Sequence, residues 1–175
     1  MPKGLIHIYH GEGKGKTTAA IGLAVRAAGT GNRVLIAQFL KGSPSGEVKV
    51  LQSIAGITLM RCEELKKFSW DMTEEEKRQV CQQHDDMVKT AVEQANNGLC
   101  DMLVLDEALG ACCVGLLSED RILTFLQEKP EGLEVVLTGR GPSERLLAIA
   151  DYVTEMHKEK HPYDKGIMAR KGVEF

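Results

Sequence analysis

Short apolar runs alternate with longer amphipathic stretches along this chain. Leu5-Ile6-His7-Ile8-Tyr9 has the form of a strand and stops at Gly11-Glu12-Gly13-Lys14-Gly15. Thr17 to Gly29 offers Ala19, Ala20, Leu23, Ala24 and Ala27 to one helical face, with Gly29-Thr30-Gly31 as the stop. Arg33 to Leu40 predicts a second strand, apolar enough to be buried on both faces. A short helix around Val48 to Ile54 and a strand over Gly56 to Met60 follow. The longest helix is predicted from Thr73, which forms a capping box with Glu76. Val80, His84, Met87, Val88, Ala91, Val92 and Ala95 then recur at helical spacing, and Asn97-Gly98 ends the run. Met102 to Leu105 predicts a strand running into Asp106-Glu107, and Ser118 opens another helix. Glu134 to Leu137, a short helix over Pro142 to Ala150, and Tyr152 to Met156 as a last strand complete the pattern before a polar tail.

Strands alternating with helices predict an α/β fold with right-handed crossovers and a mostly parallel sheet covered on both faces. Ligands on such sheets bind beyond the carboxyl ends of the strands. The 175 residues suit one domain spanning 1–175, since a chain of this length fills a single core. A net charge of −3 gives no global basic field and argues against a nucleic-acid partner. No apolar run reaches the roughly 18 residues that span a bilayer. His7 and His10 interrupt the apolar start, so no signal peptide is expected, and a soluble cytoplasmic protein follows. The five cysteines are odd in number and form no Cys-x-x-Cys, with Cys112 and Cys113 adjacent. They read as small buried apolar residues, and the seven methionines as core filler.

The segment with most chemistry is His10-Gly11-Glu12-Gly13-Lys14-Gly15-Lys16-Thr17-Thr18, between a strand and a helix. Glycines let the backbone curl with its amides inward, and the helix N-terminus adds positive potential for phosphate. Lys16 would neutralise phosphate oxygens, and the Thr17 hydroxyl would take a place on Mg²⁺ (or Mn²⁺). The loop departs from G-x-x-x-x-G-K-[ST]: His10 stands where the first glycine is expected, which implies a tighter or re-angled loop. Asp106 and Glu107, at the end of a buried strand, would reach the same metal directly or through water. Arg140, after Thr138-Gly139, falls near the same sheet edge, either on phosphate or in a surface ion pair. Arg26 lies two to three turns along the first helix, where solvation or pairing explains it equally well. Phe68 and Trp70 lie two apart in a polar stretch, and on spacing alone they cap the core.

Together these pieces resemble the P-loop class of ATP:cob(I)alamin adenosyltransferases, the corrinoid adenosyltransferases. The resemblance spans nearly the whole chain. It rests on Gly11 to Ala20, Gln38-Phe39-Leu40-Lys41-Gly42, Phe68-Ser69-Trp70, Val104-Leu105-Asp106-Glu107 and Leu137-Thr138-Gly139-Arg140. It continues through Ala150 to Met156 and His161-Pro162-Tyr163-Asp164-Lys165-Gly166. The loop without its first glycine is characteristic of that family. The resemblance implies a P-loop NTPase-like three-layer sandwich that transfers the 5′-deoxyadenosyl group of ATP to the cobalt of a reduced corrinoid, with triphosphate leaving. It implies ATP held by Gly11, Glu12, Gly13, Lys14, Gly15, Lys16, Thr17, Thr18, Arg26, Lys41 and Arg140, with metal at Thr17, Asp106 and Glu107. It also assigns Phe68 and Trp70 to the lower face of the corrin, against the reading from spacing. A reducing flavoprotein and a homodimer are further family expectations. The first predicted strand begins at Leu5, so no amino-terminal extension of the kind that covers the site in some relatives is expected. On the loop alone, two other classes stay open: a general P-loop ATPase or small-molecule kinase, and a nucleotide-gated binding module.

Overall fold

The computed structural model describes residues 3–41, 45–62 and 69–173. Six strands form its sheet: β1 Ile6–His10, β2 Val34–Gln38, β3 Ile57–Arg61, β4 Met102–Asp106, β5 Glu134–Thr138 and β6 Tyr152–Glu155. The order is β3-β2-β4-β5-β1-β6, and every pairing is parallel rather than mostly so. Six helices connect them: α1 Lys16–Gly29, α2 Gly46–Ser53, α3 Glu74–Asn96, α4 Ala108–Cys113, α5 Glu119–Glu128 and α6 Glu144–Ile149.

Strand pleating sorts the core into two layers. Val34, Ile36, Met102, Val104 and Val136 face Ala20, Ala24 and Ala27 of α1 and Leu51 of α2. Their neighbours Leu35, Ala37, Leu103, Leu105, Val135 and Leu137 face the other way, toward α3, α4, α5 and α6. β2 and β4 are buried at every position, which is why they read as unbroken apolar runs. β6 closes one edge and is exposed throughout, kept short at four residues.

The predicted capping box is formed: Thr73 Oγ1 accepts from the Glu76 amide at 3.2 Å, and the Thr73 amide donates to Glu76 Oε2 at 2.8 Å. Helix α4 was not predicted. Its six residues start from Glu107 in a left-handed conformation with no side-chain cap, so no start signal appears in the sequence. The predicted strand over Arg33–Leu40 narrows to β2, because Leu40 turns to φ 55°. The cysteines divide: Cys62 and Cys100 are buried, Cys81 and Cys112 half-buried, and Cys113 exposed. Met87 and Met102 fill the core as expected, but Met168 lies in the exposed tail.

Candidate active site

His10 is the last residue of β1, paired in register with Glu155, so the strand runs one residue further than the usual loop allows. That accounts for the displaced first glycine. The loop then leans on the end of β6. The Met156 amide donates to the His10 carbonyl at 2.8 Å, and the Gly13 amide donates to the Met156 carbonyl at 2.6 Å. A Cβ on Gly13 would lie 2.6 Å from the Met156 oxygen and 2.8 Å from the His157 oxygen. Glycine is required there by closeness to another strand. Gly15 is required by conformation, since it enters α1 at φ 115°. With the loop so curled, Lys16 is buried and its Nζ donates to the Gly11 and Gly13 carbonyls at 2.7 and 2.8 Å.

Asp106, at the end of β4, is fully buried and accepts four hydrogen bonds. Its Oδ1 accepts from Thr17 Oγ1 at 2.9 Å and Thr138 Oγ1 at 2.7 Å. Its Oδ2 accepts from Gln38 Nε2 at 3.1 Å and Lys41 Nζ at 2.7 Å. Lys41 Nζ also donates to Thr17 Oγ1 at 2.9 Å. The carboxyl ends of β2, β4 and β5 thus converge on the first turn of α1. Parallel register opposes Gln38 to Asp106, and the Leu40 turn carries Lys41 back over them.

Glu107, next to this carboxylate, has φ 61°, and its amide donates to Thr138 Oγ1 at 2.8 Å. Burial pushes its carboxyl above the ordinary glutamate range, the Asp106 charge adds to this, and Lys41, Lys16 and Arg140 oppose it. Burial lowers the Lys16 ammonium from its usual value, with Arg140 in the same direction and Glu107 and Glu12 against. Arg140 is exposed and ion-paired with Glu12 of the loop at 3.3 Å, which is the surface pair that was one of the two expectations for it. In front of these groups opens a cleft of about 620 Å³, lined by Lys14, Gly15, Lys16, Thr17, Thr18, Lys41 and Glu107 among others.

A strand end, a curled glycine loop with lysine and threonine, and a buried aspartate on that threonine are the parts that a nucleotide-phosphate seat requires. Residues 2–175 match the family model for ATP:corrinoid adenosyltransferase BtuR/CobO/CobP. The chain belongs to the ATP:corrinoid adenosyltransferase family. It is 35% identical to a corrinoid adenosyltransferase of Escherichia coli (strain K12) over 99% of this chain and 86% of that one. It is 36% identical to a corrinoid adenosyltransferase of Sinorhizobium sp, over 99% of this chain and 81% of the relative. The corresponding protein of Salmonella typhimurium is 34% identical, over 99% and 86%.

The residues that this corrinoid adenosyltransferase was expected to use fall into distinct places. Lys14, Gly15, Lys16, Thr17, Thr18, Lys41 and Glu107 line the cleft. Gly11 and Gly13 hold the loop against β6, while Glu12 meets Arg140. Asp106 stands behind Thr17. Arg26 is exposed on α1, about 15 Å along the axis from Lys16 at about 1.5 Å per residue, and is not among the cleft-lining residues. Trp70 sits in a 3-10 turn, Ser69–Asp71, and is 76% exposed, so it does not cap the core. Phe68 lies outside the described residues. Sequence reading missed Gln38 and Thr138 as partners of Asp106, and Ser45, Gly46, Glu47, Gly172 and Val173 as cleft walls. Only the chemistry of Gln38 at a strand end was a usable signal.

The donor set suits magnesium. Thr17 and Asp106 offer hard oxygens on one seat, and an ammonium already lies against both. Among the described residues no three His, Cys, Asp or Glu side chains cluster to hold a metal alone.

Proposed function

We infer that this protein transfers the 5′-deoxyadenosyl group of ATP to the cobalt of a reduced corrinoid. The match of the family model to residues 2–175 carries that reading. The cobalt electron pair forms a bond to the C5′ carbon of ATP. The bond from C5′ to its oxygen breaks, and that electron pair leaves with triphosphate. The nucleophile comes with the corrinoid, so the protein needs no Ser, Cys or His nucleophile. Its task is to hold C5′ in line and to stabilise charge on the departing triphosphate.

In this reading Lys16 leaves the Gly11 and Gly13 carbonyls for triphosphate oxygens, which a rotation of its side chain allows. The loop amides and the first turn of α1 face the same anion. Lys14, Lys41 and Arg140 add positive charge at the rim. Thr17 and Asp106, with Glu107 beside them, hold Mg²⁺, which supplies charge neutralisation on the phosphates. Trp70, exposed in the turn that follows β3, would lie with Phe68 against the flat face of the corrin. Arg26, exposed in the last turn of α1 and outside the cleft lining, falls to its other reading, a solvated or paired side chain. Five free cysteines suit a reducing cytoplasm, where a flavoprotein would supply Co(II) reduction, and the working unit is a homodimer. Among the described residues no helix is long and apolar enough to cross a membrane.

The test is an anaerobic incubation with Mg-ATP and chemically reduced cobalamin. A light-sensitive Co–C product and inorganic triphosphate are expected in equal amounts. ADP and phosphate without a corrinoid product would instead point to a general P-loop ATPase with Glu107 or Asp106 as base. Replacing Phe68 and Trp70 together by alanine should lower adenosylation that starts from Co(II) far more than ATP affinity.

A further inference from the structure

We propose that Lys41 is a resident counter-ion: in the nucleotide-free protein its ammonium holds the metal seat of Thr17 and Asp106, so that a divalent cation enters only with nucleotide. This rests on the reading that Thr17 and Asp106 hold the metal.

The count of lone pairs on Asp106 carries the inference. An ionised carboxylate has about four acceptor sites, and all four are engaged here, by Thr17, Thr138, Gln38 and Lys41. One of the two lone pairs of Thr17 Oγ1 is also taken by Lys41, at 2.9 Å. A cation seeking both oxygens must therefore displace a donor. Gln38 and Thr138 are fully buried and fixed at strand ends. Of the three donors other than Thr17, which is itself part of the seat, Lys41 combines a part-exposed side chain, at 25%, with a position outside any strand and a place on the cleft wall. It is the donor that can leave.

Departure is unfavourable in the absence of nucleotide. A bare divalent ion would strand the Lys41 ammonium within a few ångströms of it, two like charges at short range in a half-buried site. Nucleotide reverses the balance, because triphosphate oxygens in the same cleft accept the displaced ammonium. Lys41 is in this sense a positioning and specificity residue for the metal–nucleotide complex.

The experiment reads Mn²⁺ retained by the protein in equilibrium dialysis, with and without ATP, alongside melting temperature. Wild-type protein should take up no Mn²⁺ at millimolar concentration without ATP, and should do so stoichiometrically with it. Lys41→Met should bind nucleotide-free Mn²⁺ at least about tenfold more tightly than wild type, since a full positive charge is removed from the seat. It should also melt lower than wild type and recover on adding Mn²⁺ alone, which should leave the wild-type melting temperature unmoved. Asp106→Asn in the Lys41→Met background should abolish the gained Mn²⁺ binding. Wild type binding Mn²⁺ equally well with and without ATP would overturn the inference, whether or not the variants fold. So would a gain in Lys41→Met that survives Asp106→Asn. The metal-seat reading fails separately, if Asp106→Asn alone takes up Mn²⁺ with ATP as tightly as wild type.

Discussion

Replacing Gly13 by alanine tests whether the phosphate loop owes its shape to β6. The added methyl would meet two backbone oxygens, of Met156 at 2.6 Å and His157 at 2.8 Å, neither of which a side-chain rotation can move. Overpacking of this kind costs about 1–3 kcal/mol. Separating the segments to relieve it sacrifices the Gly13 amide bond to Met156, worth about 1 kcal/mol. A total of about 2–4 kcal/mol follows, larger than the loop can absorb in place. The loop then swings off β6, and the Gly13 carbonyl that Lys16 uses moves with it. If about 2 kcal/mol of this appears in nucleotide binding, ATP affinity falls about 30-fold. Equilibrium binding of a fluorescent ATP analogue measures that, and calorimetric unfolding measures the rest. Gly22→Ala is the internal control. That glycine lies within α1, and a Cβ there meets nothing within 4 Å. Alanine should stabilise it by about 0.5–1 kcal/mol, a rise of about 1–4 °C for a chain of this length. A Gly13→Ala protein with wild-type affinity and melting temperature, beside a stabilised Gly22→Ala, would refute the reasoning.

Three further outcomes are expected. Glu107→Gln should stabilise the nucleotide-free protein at neutral pH, because burial holds the wild-type carboxyl above its ordinary 4.5. The stability of the protonated form is present below 4.5 and drains away as pH rises through the raised value, so the gain should vanish on acidification, as melting curves across pH will show. Thr73→Ala removes one side of the capping box at the start of α3 and should cost about 1 kcal/mol, about 2–4 °C in melting temperature, with ATP affinity unchanged. His84 is fully buried, with Nδ1 2.8 Å from the Leu116 carbonyl, and burial holds it below its ordinary 6.5. Its contribution is therefore present above pH 6.5 and lost as pH falls, so denaturant titrations should show a shallower loss of stability between pH 6.5 and 5 in His84→Met than in wild type.

What could be read in the chain was what depends on neighbours in sequence. Strands β2 and β4 announce themselves because burial on both faces leaves no polar position to interrupt them. The phosphate loop is local too, and even its irregularity was visible in His10. Its cause was not visible, since Met156 reaches Gly13 from 143 residues further along the chain and only through the β1–β6 pairing. Asp106 stood out as a carboxylate at the end of a buried strand, but its neighbours were not legible. Gln38 faces it because β2 and β4 are adjacent, and the order of strands in a sheet is not written in their order along the chain. Trp70 shows the limit of spacing arguments. Two aromatics in a polar stretch favoured a core cap on spacing alone, and the exposure of Trp70 overturns that for this residue. The cleft wall at Gly172 and Val173 has no local mark at all.

Lys16 and Lys41 are both satisfied by the chain itself before any ligand arrives: Lys16 by two loop carbonyls, Lys41 by Asp106 and Thr17. Binding is then an exchange of partners rather than a gain of them, and an exchange contributes little net energy unless every group released finds an equivalent. The consequence is selectivity by completeness. Bare triphosphate would draw Lys41 away and leave Asp106 buried without its cation, while a bare cation would strand Lys41. The metal–nucleotide complex alone offers oxygens to both lysines and a positive charge to the aspartate at once. A seat arranged in this way discriminates through the penalty on each half-ligand, since an unpaired buried charge is far more costly than a solvated one.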